Sequence, residues 1–179
     1  MDESRQWTVA MIALSVVILG AVVLAGSKSN PSPTGSTLTT DQAALLAVRS
    51  DDHSRGSKDA KTTLIEYGDF QCPACATVEP HLQKLVAEHG NEVRIIFRNF
   101  PLPQHANGEL MSRAAEAADK QGKYWEMHDR IYQEQEAWAK ANNTQELALQ
   151  YAHDLGLVVD KFKADLFDQG IADRITKEK

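Results

Sequence analysis

The apolar residues of the chain fall into two regions, an uninterrupted run near the N-terminus and a patterned region that begins after residue 40. Residues 7–25 carry no charge, and their only polar side chains are Thr8 and Ser15. A helix of that length rises about 28 Å at ~1.5 Å per residue, close to the hydrocarbon thickness of a bilayer. The run therefore predicts an N-terminal transmembrane helix, preceded by a short tail at residues 1–6.

This helix can be an anchor or a signal peptide. Residues 23–25 form an acceptable cleavage site, but the apolar run is longer than the usual core of a signal peptide, which favours an uncleaved anchor. Residues 26–40 are rich in Ser, Thr, Pro and Gly and predict a flexible linker, because they carry too little apolar surface to fold. The folded domain is expected at residues 41–179.

Strand and helix patterns alternate in the first half of that domain. The predicted elements are a short helix, a polar loop, a strand, a helix and a second strand, at residues 41–48, 51–61, 62–67, 73–89 and 92–100. The longer helix is indicated by apolar residues at helical spacing, namely Val78, Leu82, Leu85 and Val86, and Gly90 supplies its stop.

Only helices are predicted after the second strand. Helical periodicity marks three stretches, at residues 108–121, 124–135 and 144–155. A last amphipathic helix is expected to begin at Asp160 and to carry Phe162, Leu166 and Phe167. The order of strand, helix, strand and then a helical block indicates an α/β protein.

The charge of the chain narrows its possible partners. The net charge is −6, and residues 1–40 contribute nothing to it, so the folded domain is acidic. The sequence contains no dense Lys and Arg cluster that would suit a phosphate backbone. We therefore expect no nucleic-acid partner.

The two cysteines of the chain form the motif Cys72-Pro73-Ala74-Cys75, between a predicted strand and a predicted helix. Proline suits the first helical position, which places Cys72 at the N-cap and Cys75 one turn further on. A sulfur at a helix N-terminus faces unpaired N–H groups, which favour the thiolate, the species that attacks disulfides. We expect Cys72 to be the exposed nucleophile and Cys75 the more buried resolving thiol.

Three other interpretations of the cysteine pair have less support. A zinc site needs four ligands, and His81 and His89 lie too far along the same helix to converge on Cys72. Covalent haem needs a histidine directly after the second cysteine, where the chain has Ala76. A structural disulfide across a two-residue loop would barely restrict the unfolded chain. We therefore expect a redox pair that uses no metal and no cofactor.

Residues 65–75, with the sequence IEYGDFQCPAC, resemble the active-site segment of DsbA-like disulfide oxidoreductases. The resemblance continues in RIIFRNFPL at 94–102, AAEAA at 114–118 and GKYWEMHD at 122–129, and it covers roughly residues 58–175. It implies a DsbA/BdbD-type thioredoxin-like α/β fold with an inserted helical domain at about residues 104–179.

The resemblance also implies roles for individual residues. Cys72 and Cys75 would be the catalytic pair, and Glu66 would be a buried acid with a raised pKa that shuttles the proton of Cys75. A half-exposed strand glutamate is the alternative for Glu66. Active-site support is implied for the residues around the cysteines and for the proline at which the family's helix is kinked, namely Asp69, Phe70, Pro73, Ala74 and Pro80.

Two departures from the family pattern affect the prediction. Many strongly oxidising relatives carry histidine before the second cysteine, where this chain has Ala74, so we expect a less oxidising disulfide. The family's fold returns to the sheet through a cis-proline loop, two strands and a helix, but this chain has no proline after Pro103. We therefore expect an incomplete, C-terminally truncated domain in which the C-terminal strands are missing.

The predicted function is that of an extracytoplasmic protein thiol–disulfide oxidoreductase, which introduces disulfides into exported proteins with free thiols. The resemblance implies a membrane-bound partner that re-oxidises it. Disulfides persist outside the cytoplasm, so the domain is placed on that side of the cell membrane, or is secreted or periplasmic if the signal is cleaved. The alternatives are an exported reductase or isomerase and a non-catalytic binding module.

Overall fold

The computed structural model describes residues 39–179. The chain divides between Leu45 and Leu46, and the architecture given below is that of residues 46–179. A first short helix, α1, spans Thr40–Leu46. The predicted tail, transmembrane helix and most of the linker lie outside the described residues. Among residues 39–179, no helix combines the length and apolar character needed to cross a bilayer.

A three-stranded sheet forms one layer of the domain. Its strands are β1, His53–Arg55; β2, Thr62–Gly68; and β3, Val93–Asn99, in the order β1-β3-β2. β2 and β3 are parallel and joined by the helix α2, Pro73–His89, whereas β1 is antiparallel to β3. The register pairs Glu66 with Phe97 and Tyr67 with Arg98. Since side chains alternate along a strand, these two pairs lie on opposite faces of the sheet.

The predicted loop at residues 51–61 is wrong in part, because it contains strand β1. This strand has only three residues, all polar, and therefore carries no alternating hydrophobic signal. Its side chains are held by distant partners: the His53 ring stacks on Tyr124 with centroids 3.5 Å apart, and Arg55 Nη2 lies 2.6 Å from Asp129.

Six helices follow β3. They are α3, Gly108–Asp119; α4, Tyr124–Gln133; α5, Gln135–Trp138; α6, Thr144–Asp154; α7, Val159–Leu166; and α8, Gln169–Glu178. The alanines of α3 at 114, 115, 117 and 118 are fully buried. These small side chains permit close approach of α3 to α4 and α7, its main helical neighbours.

Two of the predicted helices are each divided in the structure. The stretch 124–135 is interrupted at Glu134, whose dihedral angles are not helical (φ −102°, ψ 16°). The last predicted helix is two helices, and Asp160 does not cap the first, whose N-cap is Val158. Asp168 begins α8 by accepting a 3.1 Å hydrogen bond from the Ile171 N–H, and the neighbouring Phe167 is 59% exposed rather than packed.

The core lies between one face of the sheet and the helices. Phe70, Phe97 and Tyr132 meet there around the fully buried ring of His128. α8 is tied to the end of β3, because the Glu178 carboxylate accepts hydrogen bonds from the Asn99 backbone N–H (2.7 Å) and side-chain amide (3.1 Å).

Candidate active site

The cysteine motif lies where β2 passes into α2. Cys72 is the N-cap of α2, Pro73 occupies the first helical turn, and Cys75 follows within it. Both cysteines are half-buried free thiols. Cys72 makes no side-chain capping bond, so the first N–H groups of α2 receive no acceptor from the N-cap side chain.

The two thiols have different surroundings. Cys75 is one of the half-buried side chains packed against the hydrophobic core. The pKa of Cys75 is raised to about 11, chiefly by burial and in smaller part by the Cys72 thiol and the charge of Glu66, whereas the Asp69 backbone N–H acts in the opposite direction. Cys75 is therefore protonated at neutral pH and needs a proton acceptor before it can attack a disulfide.

Glu66 pairs with Phe97 and lies on the same face of the sheet, and its charge acts on Cys75 and Glu79 of α2. Its Oε2 atom is buried and has no hydrogen-bond partner among the described residues. Burial raises the pKa of Glu66 to about 7. A carboxyl group with that pKa can accept or donate a proton near neutral pH.

A second buried carboxyl group, Glu79, was not predicted from the sequence. Glu79 is the one fully buried residue of α2 and lies one turn after Cys75. Burial, followed by the charge of Glu66, raises its pKa to about 7. By contrast, Val78, which the apolar spacing assigned to the buried face of this helix, is 47% exposed. The i, i+4 spacing between Cys75 and Glu79 places both residues on one face of the helix and could have predicted that Glu79 lies near the thiols.

The loop before Cys72 is fixed by Asp69, which is 3% exposed. One carboxylate oxygen accepts the Gln71 N–H at 2.8 Å, which closes the turn. The other accepts the Leu102 N–H at 2.8 Å and lies 2.6 Å from His105 Nδ1. Asp69 therefore joins the cysteine loop to the segment that follows β3.

Residues of the helical block hold the same loop from the other side. The Gln135 amide donates to the carbonyl oxygens of Phe70 (2.6 Å) and Cys72 (3.0 Å). Gln71 donates to the Ala139 carbonyl (2.7 Å) and accepts from the Asn107 N–H (2.7 Å). Sequence reasoning missed these contacts, because they join residues more than 30 positions apart.

The remaining predicted support residues have varied positions. Phe70 is fully buried in the aromatic core, whereas Pro73 and Ala74 are exposed at the start of α2. Pro80 is an exposed residue inside α2. A cleft of about 560 Å³ opens beside the motif, between Pro73, Gln71 and His105 on one side and residues 135–140 on the other.

One group of side chains among residues 39–179 has the spacing of metal ligands, Glu79, His128 and Asp129. A cation already lies against it, because the Arg55 guanidinium is 2.6 Å from Asp129 and 3.9 Å from Glu79. The Asp129 carboxylate also lies 3.0 Å from His128 Nδ1. This group is therefore a buried ion-pair network with its own positive charge.

Comparison with known proteins identifies the family. Residues 49–179 match the family described as Thioredoxin. The chain belongs to the thioredoxin family. A solved variant of α-DsbA1 from Wolbachia pipientis is 25% identical, with a TM-score of 0.65 over 75% of this chain and 68% of that one. BdbD from Bacillus subtilis is 24% identical, with a TM-score of 0.60 over 70% of each chain.

Curated relatives of this thioredoxin-family chain carry a different name. The Na(+)/H(+) antiporter NhaA 3 of Salinispora tropica is 38% identical over 128 residues, which are 71% of this chain and 19% of that protein. The chain thus spans about a fifth of the length of the curated relatives it matches.

These findings confirm the predicted thioredoxin-like α/β fold with a helical insertion and the likeness to DsbA- and BdbD-type proteins. The enzyme class predicted for the domain, protein-disulfide oxidoreductase, is confirmed at the level of general thiol–disulfide exchange. The roles of the individual site residues stay predictions.

Proposed function

We propose that this protein is an extracytoplasmic dithiol oxidase that introduces disulfides into exported polypeptides through Cys72 and Cys75. The observation that carries the proposal is the placement of Cys72 at the N-cap of α2 and of Cys75 in its first turn, with the charge of Glu66 acting on Cys75. A short redox loop at a helix N-terminus restrains the chain little and therefore exchanges readily.

The exchange begins with the oxidised domain. A substrate thiolate attacks the Cys72 sulfur, the Cys72–Cys75 bond breaks, and Cys75 leaves as a thiolate. Because burial raises the pKa of Cys75 to about 11, this thiolate takes up a proton, and Glu66 is the nearby acid with a pKa suited to supply it. A second substrate thiolate then attacks the substrate sulfur of the mixed disulfide, which forms the substrate disulfide and releases Cys72 as a thiolate.

The reduced Cys72 and Cys75 must then be re-oxidised. The location of the domain is inferred from its need for a compartment in which disulfides persist. An oxidising compartment preserves disulfides, so the proposal places the domain outside the cytoplasm. The apolar run at residues 7–25 supports an anchor in the cell membrane, with residues 26–40 as the linker to the domain. Relatives named as antiporters also support a membrane location. A membrane-bound oxidant of the dithiol is the proposed partner.

The reverse direction, reduction or isomerisation, is the second candidate. Ala74 is exposed at the position where many strongly oxidising relatives carry histidine, and its methyl group cannot supply the positive charge of that side chain. A non-catalytic binding module is the third candidate. It predicts partner binding that is independent of both cysteines.

The deciding experiment follows the return of activity to a reduced, unfolded secreted enzyme in the presence of the oxidised full-length protein. The wild type should oxidise the substrate, and Cys72→Ser should abolish oxidation without a change in circular dichroism. Full reduction of a native disulfide substrate with no oxidation would establish the reductase instead. Partner binding that is equal in the wild type and in Cys72→Ser, with no turnover in either direction, would overturn the enzyme proposal.

A further inference from the structure

A second pocket lies on the sheet face opposite the aromatic core. It has a volume of about 220 Å³ and is bordered by Arg49, Asp52, Ser54, Lys58, Arg94 and Ile96. Arg94 and Ile96 alternate along β3 and therefore point to the same side, and Ser54 of β1 pairs with Ile96. None of these residues belongs to the cysteine site.

The pocket concentrates positive charge in an acidic domain. Three of its residues, Arg49, Lys58 and Arg94, are cationic, and none of them forms an ion pair with a carboxylate within residues 39–179. The one carboxylate of the pocket belongs to Asp52, which already pairs with Arg98 through bonds of 2.8 and 2.9 Å. The charge of Arg49 acts on Asp52, but none of the three cations has a carboxylate of its own within ion-pair distance among the described residues.

Arg94 provides a separate sign of an absent partner. Its Nη2 donates to Thr63 Oγ1 at 3.1 Å, but its Nε is buried without a hydrogen-bond partner among the described residues. A buried guanidinium N–H without an acceptor costs free energy, which an anion in the pocket would offset. Buried charged donors are usually paired, so the lack of a partner for Arg94 Nε among the described residues is consistent with a ligand that binds in this pocket.

Both walls of the pocket are fixed in place. The Arg49 N–H donates to Asp52 at 2.6 Å, and Asp52 is held in turn by the fully buried Arg98. The wall that carries Lys58 is fixed by a 2.7 Å bond from the Ser57 N–H to the Gly90 carbonyl. Gly56 permits this turn, because its φ of +98° and its close approach to the Val93 carbonyl exclude a side chain. A preorganised site loses less entropy on binding.

We propose that this pocket, which we name the cationic pocket, binds a phosphate group. Two guanidinium groups and an ammonium group suit a tetrahedral oxyanion, because guanidinium forks match its oxygens and an ammonium group acts as a compact point charge. The volume is below the roughly 300–1,000 Å³ that encloses a drug-sized ligand, so it suits a single phosphate rather than a whole nucleotide.

The phosphate can come from two sources, inorganic phosphate or an anionic phospholipid headgroup. Val48 and Arg49, the first residues of the cationic pocket, follow the proposed linker by fewer than ten residues. If residues 7–25 span the membrane, a lipid headgroup is therefore within reach of the pocket. Because none of these residues carries the redox chemistry, the inference does not depend on the proposed oxidase activity.

The test is calorimetric titration of the full-length protein in maltoside micelles at constant ionic strength. One arm uses inorganic phosphate, and the other uses a short-chain phosphatidylglycerol, with phosphatidylcholine, whose phosphate is neutralised by its own ammonium group, as the comparison of zero net charge. The variant Arg49→Glu with Lys58→Glu removes two cations of the pocket. Lys163→Glu with Lys177→Glu changes the net charge equally at two exposed positions remote in sequence. Arg49→Gln with Lys58→Gln is a milder variant in case the charge reversal prevents folding.

The wild type should bind with a dissociation constant of about 1 mM or tighter, and the pocket variants should bind at least about tenfold more weakly than the control variant. Tighter binding of phosphatidylglycerol than of phosphate would identify the lipid as the source, and the opposite order would identify the free ion. No binding in either arm, or equal affinity in the pocket and control variants, would overturn the proposal.

Discussion

The side-chain amide of Gln135 donates a 3.0 Å hydrogen bond to the carbonyl oxygen of Cys72. The same amide donates to the Phe70 carbonyl at 2.6 Å, so one residue of the helical block holds both ends of the short loop that leads to the nucleophile. Gln135 is nearly buried, which shields both bonds from water. The reactive loop is therefore positioned by the helical insertion as well as by the thioredoxin-like sheet.

We expect Gln135→Leu to destabilise the protein and to slow disulfide exchange. The substitution leaves the Phe70 carbonyl oxygen without its side-chain donor and the Cys72 carbonyl oxygen with only the Ala76 N–H, at a cost of about 1–3 kcal/mol in the free energy of unfolding. Urea denaturation and the rate of exchange with a thiol peptide measure the two effects. Gln133→Leu, at an exposed position two residues earlier, is the control. An exchange rate equal to that of the wild type would show that the loop does not need this contact.

We expect the two thiols to react at very different rates with iodoacetamide at pH 7.5. Burial raises the pKa of Cys75 to about 11, so only a small fraction of it is thiolate at that pH. Cys75, measured in Cys72→Ser, should therefore be alkylated at least about tenfold more slowly than Cys72, measured in Cys75→Ser. Mass spectrometry of time points gives both rates. Equal rates would contradict the assignment of Cys75 as the resolving thiol.

We expect Ala74→His to make the disulfide more oxidising. A cation near the N-terminus of α2 would stabilise the Cys72 thiolate and thus the reduced form, so the reduction potential should rise by about 30 mV for each ~1.4 kcal/mol gained. Equilibration with glutathione buffers measures the potential. Thr77→His places the same side chain at an exposed position just after the cysteine motif and should have a smaller effect. An unchanged potential in Ala74→His would mean that this position does not tune the thiolate.

The sequence predicted those features that are encoded locally. Pro73 and Gly90 delimit α2, and the bounds predicted for that helix are the observed ones, Pro73–His89. β1 escaped prediction because its polar residues are held by Tyr124 and Asp129, some 70 positions later.

The unpredicted contacts of the site share this non-local origin. Gln135 donates hydrogen bonds to carbonyl groups 63 and 65 positions earlier, and the hydrophobic periodicity of a sequence does not predict contacts at such separations. The cationic pocket joins residues spread over almost 50 positions, which is why no dense basic cluster was visible in the sequence.

We expect Asp52→Ala to lower the free energy of unfolding by about 3–5 kcal/mol, because it leaves the buried Arg98 guanidinium without its counter-ion. Burial alone would raise the pKa of Asp52, but the hydrogen bonds from Arg98 and from the Arg49 backbone N–H, together with the charges of both arginines, outweigh burial and lower it. Asp59→Ala, at an exposed site, is the control for urea denaturation. A loss no larger than the control's would show that the Tyr67 hydroxyl and the Ala47 carbonyl suffice to stabilise the guanidinium.

We expect Glu66→Gln to stabilise the protein at pH 8 but not at pH 4.5. Burial raises the pKa of Glu66 from its ordinary 4.5 to about 7, so between those values the folded state binds more protons than the unfolded state. The free energy of unfolding therefore falls as pH rises through this window, by at most about 3 kcal/mol. Glutamine stays neutral and avoids the loss.

The titration of His128 also makes the stability of the protein depend on pH, so Glu66→Gln must be compared with the wild type at each pH. Burial lowers the pKa of His128 from the ordinary 6.5, so it contributes stability that increases with pH and partly masks the effect of Glu66 in the wild type. The difference between Glu66→Gln and the wild type removes this contribution, and Glu92→Gln at an exposed site controls for the loss of one charge. Urea denaturation at pH 4.5, 6 and 8 should give a difference that grows with pH. A difference in free energy that does not change with pH would mean that Glu66 has the same pKa in the folded protein as in the unfolded chain. Glu66 would then be no better suited than a surface carboxylate to exchange a proton with Cys75 near neutral pH.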